Sequence, residues 1–343
     1  MGLADEIPPQ ASVKDATMAQ TSNSSPSANP ASGPIFLAGP TAVGKSEIAL
    51  LLAKKIGGEI ISVDSMQVYR GLDIGTAKPS AEDRARVRHH LIDVVELTET
   101  FDAAQFARLA EAAVADIQSR ERVPIFCGGS GLYFKAFLDG LGDTPAADAQ
   151  LRALLEATPL PELLRELAER DPVTYEKVDR KNRRRVMRAV EVIRLTGKPF
   201  SEQRAEWQSK VHPPSSDFGA TSGPRSKVVI GLSRSTDDLR ARIDARVDQM
   251  FARGLVDETR QLLERGLAEN KTAMQALGYR QVVEHLRGEH SLNETIELVK
   301  TRTRQFAKRQ MTWFKRQLEV QWIDAGTIDL LGEITSCLKL FKR

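Results

Sequence analysis

Cysteine is nearly missing from this chain: only Cys127 and Cys337 occur among its 343 residues. Two thiols cannot build a disulfide scaffold or a four-ligand zinc module, and such usage fits a reducing cytoplasm. Long apolar runs are missing as well. No stretch approaches the roughly twenty uninterrupted apolar residues that a spanning helix needs, which argues against a transmembrane enzyme. The first residues hold neither a long apolar core for a secretory signal nor an Arg for a mitochondrial transit peptide. Being rich in Ala, Ser, Pro, Thr and Asn, residues 1–33 read as a disordered tail. Internal repeats are absent too.

A strong charge of either sign is also lacking, since 49 Lys+Arg against 46 Asp+Glu leave +3. The balance is uneven along the chain. Lys177 to Arg188 holds seven basic residues and one acid, and Lys300 to Arg316 holds seven basic residues and no acid. Two positive segments on an acidic body point to a polyanionic partner. With 41% hydrophobic and 28% charged residues the chain is globular and able to bury a core. Its length suits one large domain carrying an insertion, or two domains.

Short apolar runs alternate with helical stretches in the first half, the pattern of a parallel sheet with crossover helices. Ile35 to Ala38, Glu59 to Val63, Leu91 to Val95 and Val123 to Cys127 read as strands. Lys45 to Lys55, Asp102 to Arg120 and Ser130 to Leu138 read as helices. From Asp148 to Trp207 the sequence is helical, broken at Pro159, Pro161 and Pro172. A Pro/Ser/Gly-rich loop spans His212 to Pro224, after which Lys227 to Leu232 rejoins the sheet and Val320 to Ile323 adds a last strand. Ser235 with Asp238 and Ser291 with Glu294 have capping-box spacing, so long helices should follow each.

Gly39-Pro40-Thr41-Ala42-Val43-Gly44-Lys45-Ser46 matches G-x-x-x-x-G-K-[ST] between an expected strand and an expected helix. Glycines let backbone amides approach phosphate oxygens, Lys45 neutralises charge, and the Ser46 hydroxyl can hold Mg²⁺. A chance Gly-rich turn is the bland alternative. Motor and switch NTPases hold their metal with an acid at the end of a later core strand. Here Val123 to Cys127 runs into Gly128-Gly129-Ser130, with no acid, which weakens an ATPase reading. An acid does end the second strand: Asp64. In open α/β sheets it should face the crevice of the phosphate loop, where a carboxylate could take a proton from a nucleophile. A turn cap is its bland alternative.

Together these motifs resemble the tRNA dimethylallyltransferases, the bacterial isopentenyl-tRNA transferases. The resemblance rests on the phosphate loop, on Ile61-Ser62-Val63-Asp64-Ser65-Met66-Gln67-Val68-Tyr69, and on Asp73-Ile74-Gly75-Thr76-Ala77-Lys78-Pro79. Gly128-Gly129-Ser130-Gly131-Leu132-Tyr133, Gly278-Tyr279-Arg280-Gln281 and Ala307-Lys308-Arg309-Gln310-Met311-Thr312-Trp313 follow in order. The resemblance implies a P-loop NTPase-like α/β core, residues 34–145 and 222–343, with an all-helical tRNA-binding insertion at 146–221. It implies that the exocyclic amine of adenosine 37, beside the anticodon, attacks the first carbon of dimethylallyl diphosphate, and diphosphate leaves.

Residues Gly39 to Ser46 would then hold the diphosphate with Mg²⁺, although such a loop is usually taken for an ATP site. Asp64 matches the general base, Thr41 a hydroxyl near the reacting end, and Arg246 an arginine that reaches the diphosphate; Lys45 and Arg246 would support the leaving group. A stacked base cannot present its amine, so the adenine should flip out. The resemblance puts Asp64, Ser65, Met66, Gln67 and Ser130 at its entry. Arg152, Arg184, Arg185 and Arg188, with Gly278, Tyr279 and Arg280, match regions that grip the anticodon stem-loop.

Lys300, Arg304 and Lys308 recur on one helix face that could follow a phosphate backbone, with Phe306, Trp313 and Phe314 interleaved. His89-His90 reads as a surface pair and Cys127 as a small buried apolar side chain. The Cys/His zinc finger of eukaryotic relatives is missing, which favours a bacterial enzyme. A cytoplasmic monomer is expected. Three other readings compete: a small-molecule or nucleotide kinase, a prenyltransferase acting on free AMP, and a non-enzymatic RNA-binding protein. The basic segments argue against the first two, and Asp64 with Thr41 against the third.

Overall fold

A computed structural model describes residues 33–141, 145, 148–203 and 229–340. Residues 1–32 of the tail, the loop at His212 to Pro224 and the start of the strand expected at Lys227 lie outside the described residues. Six parallel strands form one sheet: β1 Ile35–Ala38, β2 Gly58–Val63, β3 His89–His90, β4 Val123–Gly128, β5 Val229–Ser233 and β6 Val320–Asp324. Their order is β3-β2-β4-β1-β5-β6. The order reverses at β1, so the crevice beyond its carboxyl end is the natural ligand site of such a sheet.

Strand periodicity divides the core into two layers. Phe36, Ile61, Val63 and Phe126 face one side, against Phe106, Val114 and Ile117 of the Ala103–Ser119 helix, Phe134 of the Gly131–Asp139 helix and Phe314 of the Leu292–Gln317 helix. Ile35, Leu37, Ile60, Ile125, Ile230 and Leu232 face the other, against Ile48 and Leu52 of the Lys45–Ile56 helix and Ile334 of the Leu330–Leu340 helix. Burial on both faces is why these strands read as continuous apolar runs. Cys127 lies in the second layer, where burial pushes its thiol up to about 11 and keeps it protonated at neutral pH.

The helix starts follow their caps. Asp102 and Gln105 form a reciprocal capping box, as do Ser291 and Glu294, each contributing about 1 kcal/mol. Ser235 makes only half of one: its hydroxyl accepts from the Asp238 amide at 3.3 Å, while the Asp238 carboxylate pairs with Arg234 at 2.7 Å.

The strand expected at Leu91 to Val95 is displaced to His89–His90. Leu91 (φ 60°) and Asp93 (φ 57°) are left-handed and interrupt the ladder, and Val95 keeps only an isolated bridge to Tyr69. Asp93 turns to accept from the buried Lys78 and from Arg84. His90 is half-buried rather than a surface residue, with Nε2 2.7 Å from Glu59 Oε2, and Arg120 closes on the same carboxylate.

Beyond the sheet, the helices Ala149–Ala157, Leu160–Arg170, Pro172–Lys177 and Arg183–Thr196 enclose a core of their own, built on Leu155, Leu163, Leu167, Val186, Val190 and Ile193. No described helix is long and apolar enough to cross a membrane. The Leu330–Leu340 helix carries no signal noted in the sequence.

Candidate active site

The phosphate loop leaves β1 and enters the Lys45–Ile56 helix through two left-handed residues, Ala42 (φ 63°) and Gly44 (φ 107°). Backbone of this kind curls successive amides toward one point and makes an anion cradle. The Lys45 ammonium donates to the Pro40 carbonyl at 2.7 Å. Burial lowers its pKa to about 8; Arg246 acts in the same direction, Cys127 and Asp64 in the opposite one. Arg246, on the Thr236–Ala252 helix, points Nη1 toward Thr41 Oγ1 at 3.4 Å. Burial lowers its pKa and the charge of Asp64 partly restores it. Lys45, Arg246 and Asp64 therefore share one crevice and feel one another's charge.

Asp64 follows β2. Its Oδ1 accepts from the amides of Met66 at 2.8 Å and Gln67 at 3.3 Å, so the turn-cap reading is right for one oxygen. Among the described residues Oδ2 has no hydrogen-bond partner. A carboxylate fixed by one oxygen and open at the other is arranged to accept a proton. The Ser65 amide donates to Ser130 Oγ at 3.1 Å, and the Ser130 amide to the Val63 carbonyl at 3.1 Å, so the ends of β2 and β4 are tied together. Gln67 receives the Ser62 hydroxyl at 2.8 Å and donates to the Thr76 carbonyl at 3.1 Å.

A residue with no assigned role joins these pieces. Gln310 accepts the Thr41 amide at 2.9 Å and donates to the Gly129 carbonyl at 3.0 Å, linking the phosphate loop to the Gly128–Gly131 turn. That contact explains the turn's glycines, since a Cβ at Gly129 would run into Gln310 and one at Gly131 into the Trp313 ring. Arg234 and Arg242 also reach the loop, donating to the carbonyls of Val43 at 2.9 Å and Ala42 at 3.1 Å. Only the four-residue spacing of Arg242 and Arg246 hinted at this in the sequence.

Gly278 and Tyr279 do not face a groove. Both are buried, Tyr279 completely. The Tyr279 hydroxyl donates to Glu258 at 2.6 Å and accepts the Gly75 amide at 3.0 Å, while Glu258 also accepts the Ile74 amide at 3.0 Å. This clamp holds the Asp73–Pro79 segment against the core, and it corrects the reading of Tyr279 as an RNA contact. Arg280 alone of that motif is exposed, paired with Glu284 at 2.9 Å.

The basic segments divide in the same way. Arg152 and Arg188 both close on the buried carboxylate of Glu191, at 2.8 and 2.6 Å. Arg184 is exposed and donates to Gln275 at 2.6 Å; Arg185 is exposed. On the Leu292–Gln317 helix, Lys300 and Arg304 do not form a free face with Lys308. They pair with Asp248 at 2.8 Å and Asp244 at 2.9 Å, on the helix that carries Arg246. Phe314 is buried and Trp313 packs on Gly131, leaving Phe306 as the exposed aromatic of the three, with the Arg309 guanidinium 5.8 Å from its ring.

No group of three or more His, Cys, Asp or Glu that could hold a metal occurs among the described residues. Ser46 is an exposed hydroxyl at the start of the helix after the loop. One such hydroxyl suits a Mg²⁺ carried mainly by substrate phosphates and water, the usual mode for this ion.

Residues 67–317 match the family model for IPP transferases. The chain belongs to that family. It is 45% identical over 306 residues to tRNA dimethylallyltransferase 1 of Citrifermentans bemidjiense, covering 89% of this chain and 96% of that protein. The structure of a full-length tRNA isopentenylpyrophosphate transferase from Bacillus halodurans superposes with a TM-score of 0.63 at 37% identity, over 90% of this chain and 95% of that one. A eukaryotic dimethylallyltransferase acting on tRNA superposes with a TM-score of 0.73 at 29% identity, over 90% and 78%. As a family member the chain is a tRNA dimethylallyltransferase, an enzyme that transfers a dimethylallyl group to a tRNA adenosine. Its sheet with the phosphate loop at the β1 crossover is the P-loop-like fold of the family.

Proposed function

We propose that the donor is dimethylallyl diphosphate, held at Gly39 to Ser46, and that the acceptor is the exocyclic amine of adenosine 37 in the anticodon loop. The adenine enters flipped, past Asp64, Ser65, Met66, Gln67 and Ser130. The amine nitrogen forms a bond to the first carbon of the donor as the carbon–oxygen bond breaks, and Asp64 Oδ2 receives the amine proton. Lys45 and Arg246 lie where negative charge builds on the departing diphosphate. Thr41, held by Gln310 and facing Arg246, offers a hydroxyl at the reacting end. Ser46 would hold Mg²⁺, which adds positive charge on the diphosphate.

Arg184 and Arg185 meet RNA phosphates, while Arg152 and Arg188, oriented by Glu191, present their remaining N–H groups to the same strand. Every protein group in this scheme comes from one chain, and the proposal includes that the enzyme works as a monomer in the cytoplasm. The observation that carries the reading is Asp64, with an open oxygen, in electrostatic contact with both phosphate-side cations.

Labelled dimethylallyl diphosphate incubated with undermodified tRNA tests it, with labelled ATP plus AMP in parallel. Label at adenosine 37 is the expected result. Label confined to free AMP or a phosphorylated small molecule, or lying elsewhere in the tRNA, refutes it.

A further inference from the structure

We propose that Arg234 and Arg242 are positioning residues that preset the phosphate loop: by holding the carbonyls of Val43 and Ala42 away from the crevice, they aim the amides of Gly44 and Val43 at the diphosphate. The inference rests on reading this loop as the diphosphate site. In a trans peptide the C=O and the following N–H lie in one plane and point in opposite directions. Arg242 Nε holds the Ala42 carbonyl at 3.1 Å and so orients the Val43 amide. Arg234 Nε holds the Val43 carbonyl at 2.9 Å and so orients the Gly44 amide. Among the described residues neither amide donates to any protein group, which leaves both for an anion.

The loop needs such a hold. Ala42 is left-handed at φ 63°, a conformation disfavoured for an L-residue because its Cβ crowds the following carbonyl oxygen. The arginines are themselves fixed. Arg234 pairs with Asp238 at 2.7 Å, and Arg242 lies one turn before Arg246 on the Thr236–Ala252 helix. Arg246, Arg242 and Arg234 thus attach to loop residues Thr41, Ala42 and Val43 in succession. That helix is anchored in turn through Asp244 to Arg304 and Asp248 to Lys300.

Binding of inorganic pyrophosphate with Mg²⁺ to the full-length protein, measured by calorimetry, tests the proposal. Arg242→Ala should weaken binding about tenfold while leaving tRNA affinity unchanged, with Arg242→Gln as a second variant if the first fails to fold. Glycine adopts the left-handed conformation without a Cβ penalty, so adding Ala42→Gly to Arg242→Ala should recover most of the loss. Wild-type affinity in Arg242→Ala, or no recovery in the double variant, overturns the proposal. In the second case Arg242 acts only as a charge. Lys45→Ala distinguishes the two levels: if it leaves pyrophosphate binding intact, the loop is not the diphosphate site and the underlying reading fails with it.

Discussion

The two basic segments hold the same number of basic residues, seven each, and do different work. Between Lys177 and Arg188 the charges belong to the helical insertion, from which Arg184 reaches out to Gln275. Arg183 donates to the carbonyls of Leu155, Glu156 and Thr158 that end a neighbouring helix, Arg188 joins Arg152 on Glu191, and Arg184 and Arg185 are exposed. Between Lys300 and Arg316 the segment is a strut of the active site. Lys300 and Arg304 fix the arginine-bearing helix, Gln310 joins two loops and Trp313 covers a glycine. A run of positive charge is therefore poor evidence of a free binding surface until its partners are known. The first segment should govern RNA affinity, and the second the geometry of the reaction.

The largest expected effect is the reference against which both segments are measured. Asp64→Ala removes the proton acceptor and should lower kcat by about 10²–10⁴-fold without changing tRNA affinity. Equal losses in both would make Asp64 a recognition residue. Next is Gln310→Ala, which strips partners from the Thr41 amide and the Gly129 carbonyl. Each unsatisfied buried group costs about 1–3 kcal/mol, so kcat/KM for the donor should fall roughly 30-fold or more. If tRNA binding weakens instead while donor kinetics hold, the second segment is a binding surface after all.

Lys45 sharpens the comparison through pH. Its pKa is lowered to about 8 by burial, so the free enzyme loses this charge as pH rises through 8, whereas a bound diphosphate favours the protonated form. Affinity for a donor analogue should be flat below pH 8 and fall by up to about tenfold per unit above it. Lys45→Arg, which stays charged, should remove that inflection; an unchanged profile would assign the titration to another group. The smallest effect is expected in the insertion. Replacing Arg184 and Arg185 together by Ala should weaken tRNA binding about fivefold to tenfold at 0.1 M salt and reduce the log–log salt slope by about 1–2, with kcat intact. An unaltered slope would show that neither side chain meets phosphate.

Much of the site was legible in residues close in sequence. Gly44, Lys45 and Ser46 declare themselves because the loop, the strand before it and the helix after it are consecutive, and Asp64 because it ends an apolar run. The capping boxes at Asp102 and Ser291 were equally local. Leu91 to Val95 misled because its apolar residues are strand-like while left-handed turns at Leu91 and Asp93 break the ladder. Gln310 was illegible in its role, being 269 residues from the amide it holds. Tyr279 carried a motif without showing that its hydroxyl turns inward to Glu258 and Gly75.

What this sequence determined by itself were properties set within a few residues: where strands and helices begin, which loop can cradle phosphate, and where positive charge is concentrated. Only the tertiary structure decided which of those charges remain available. A hydrogen bond or ion pair exists by virtue of a distance of about 3 Å; the partners that engage Lys300, Arg304 and Arg152 are brought that close by packing between helices, whereas Arg188 meets Glu191 three residues along its own helix.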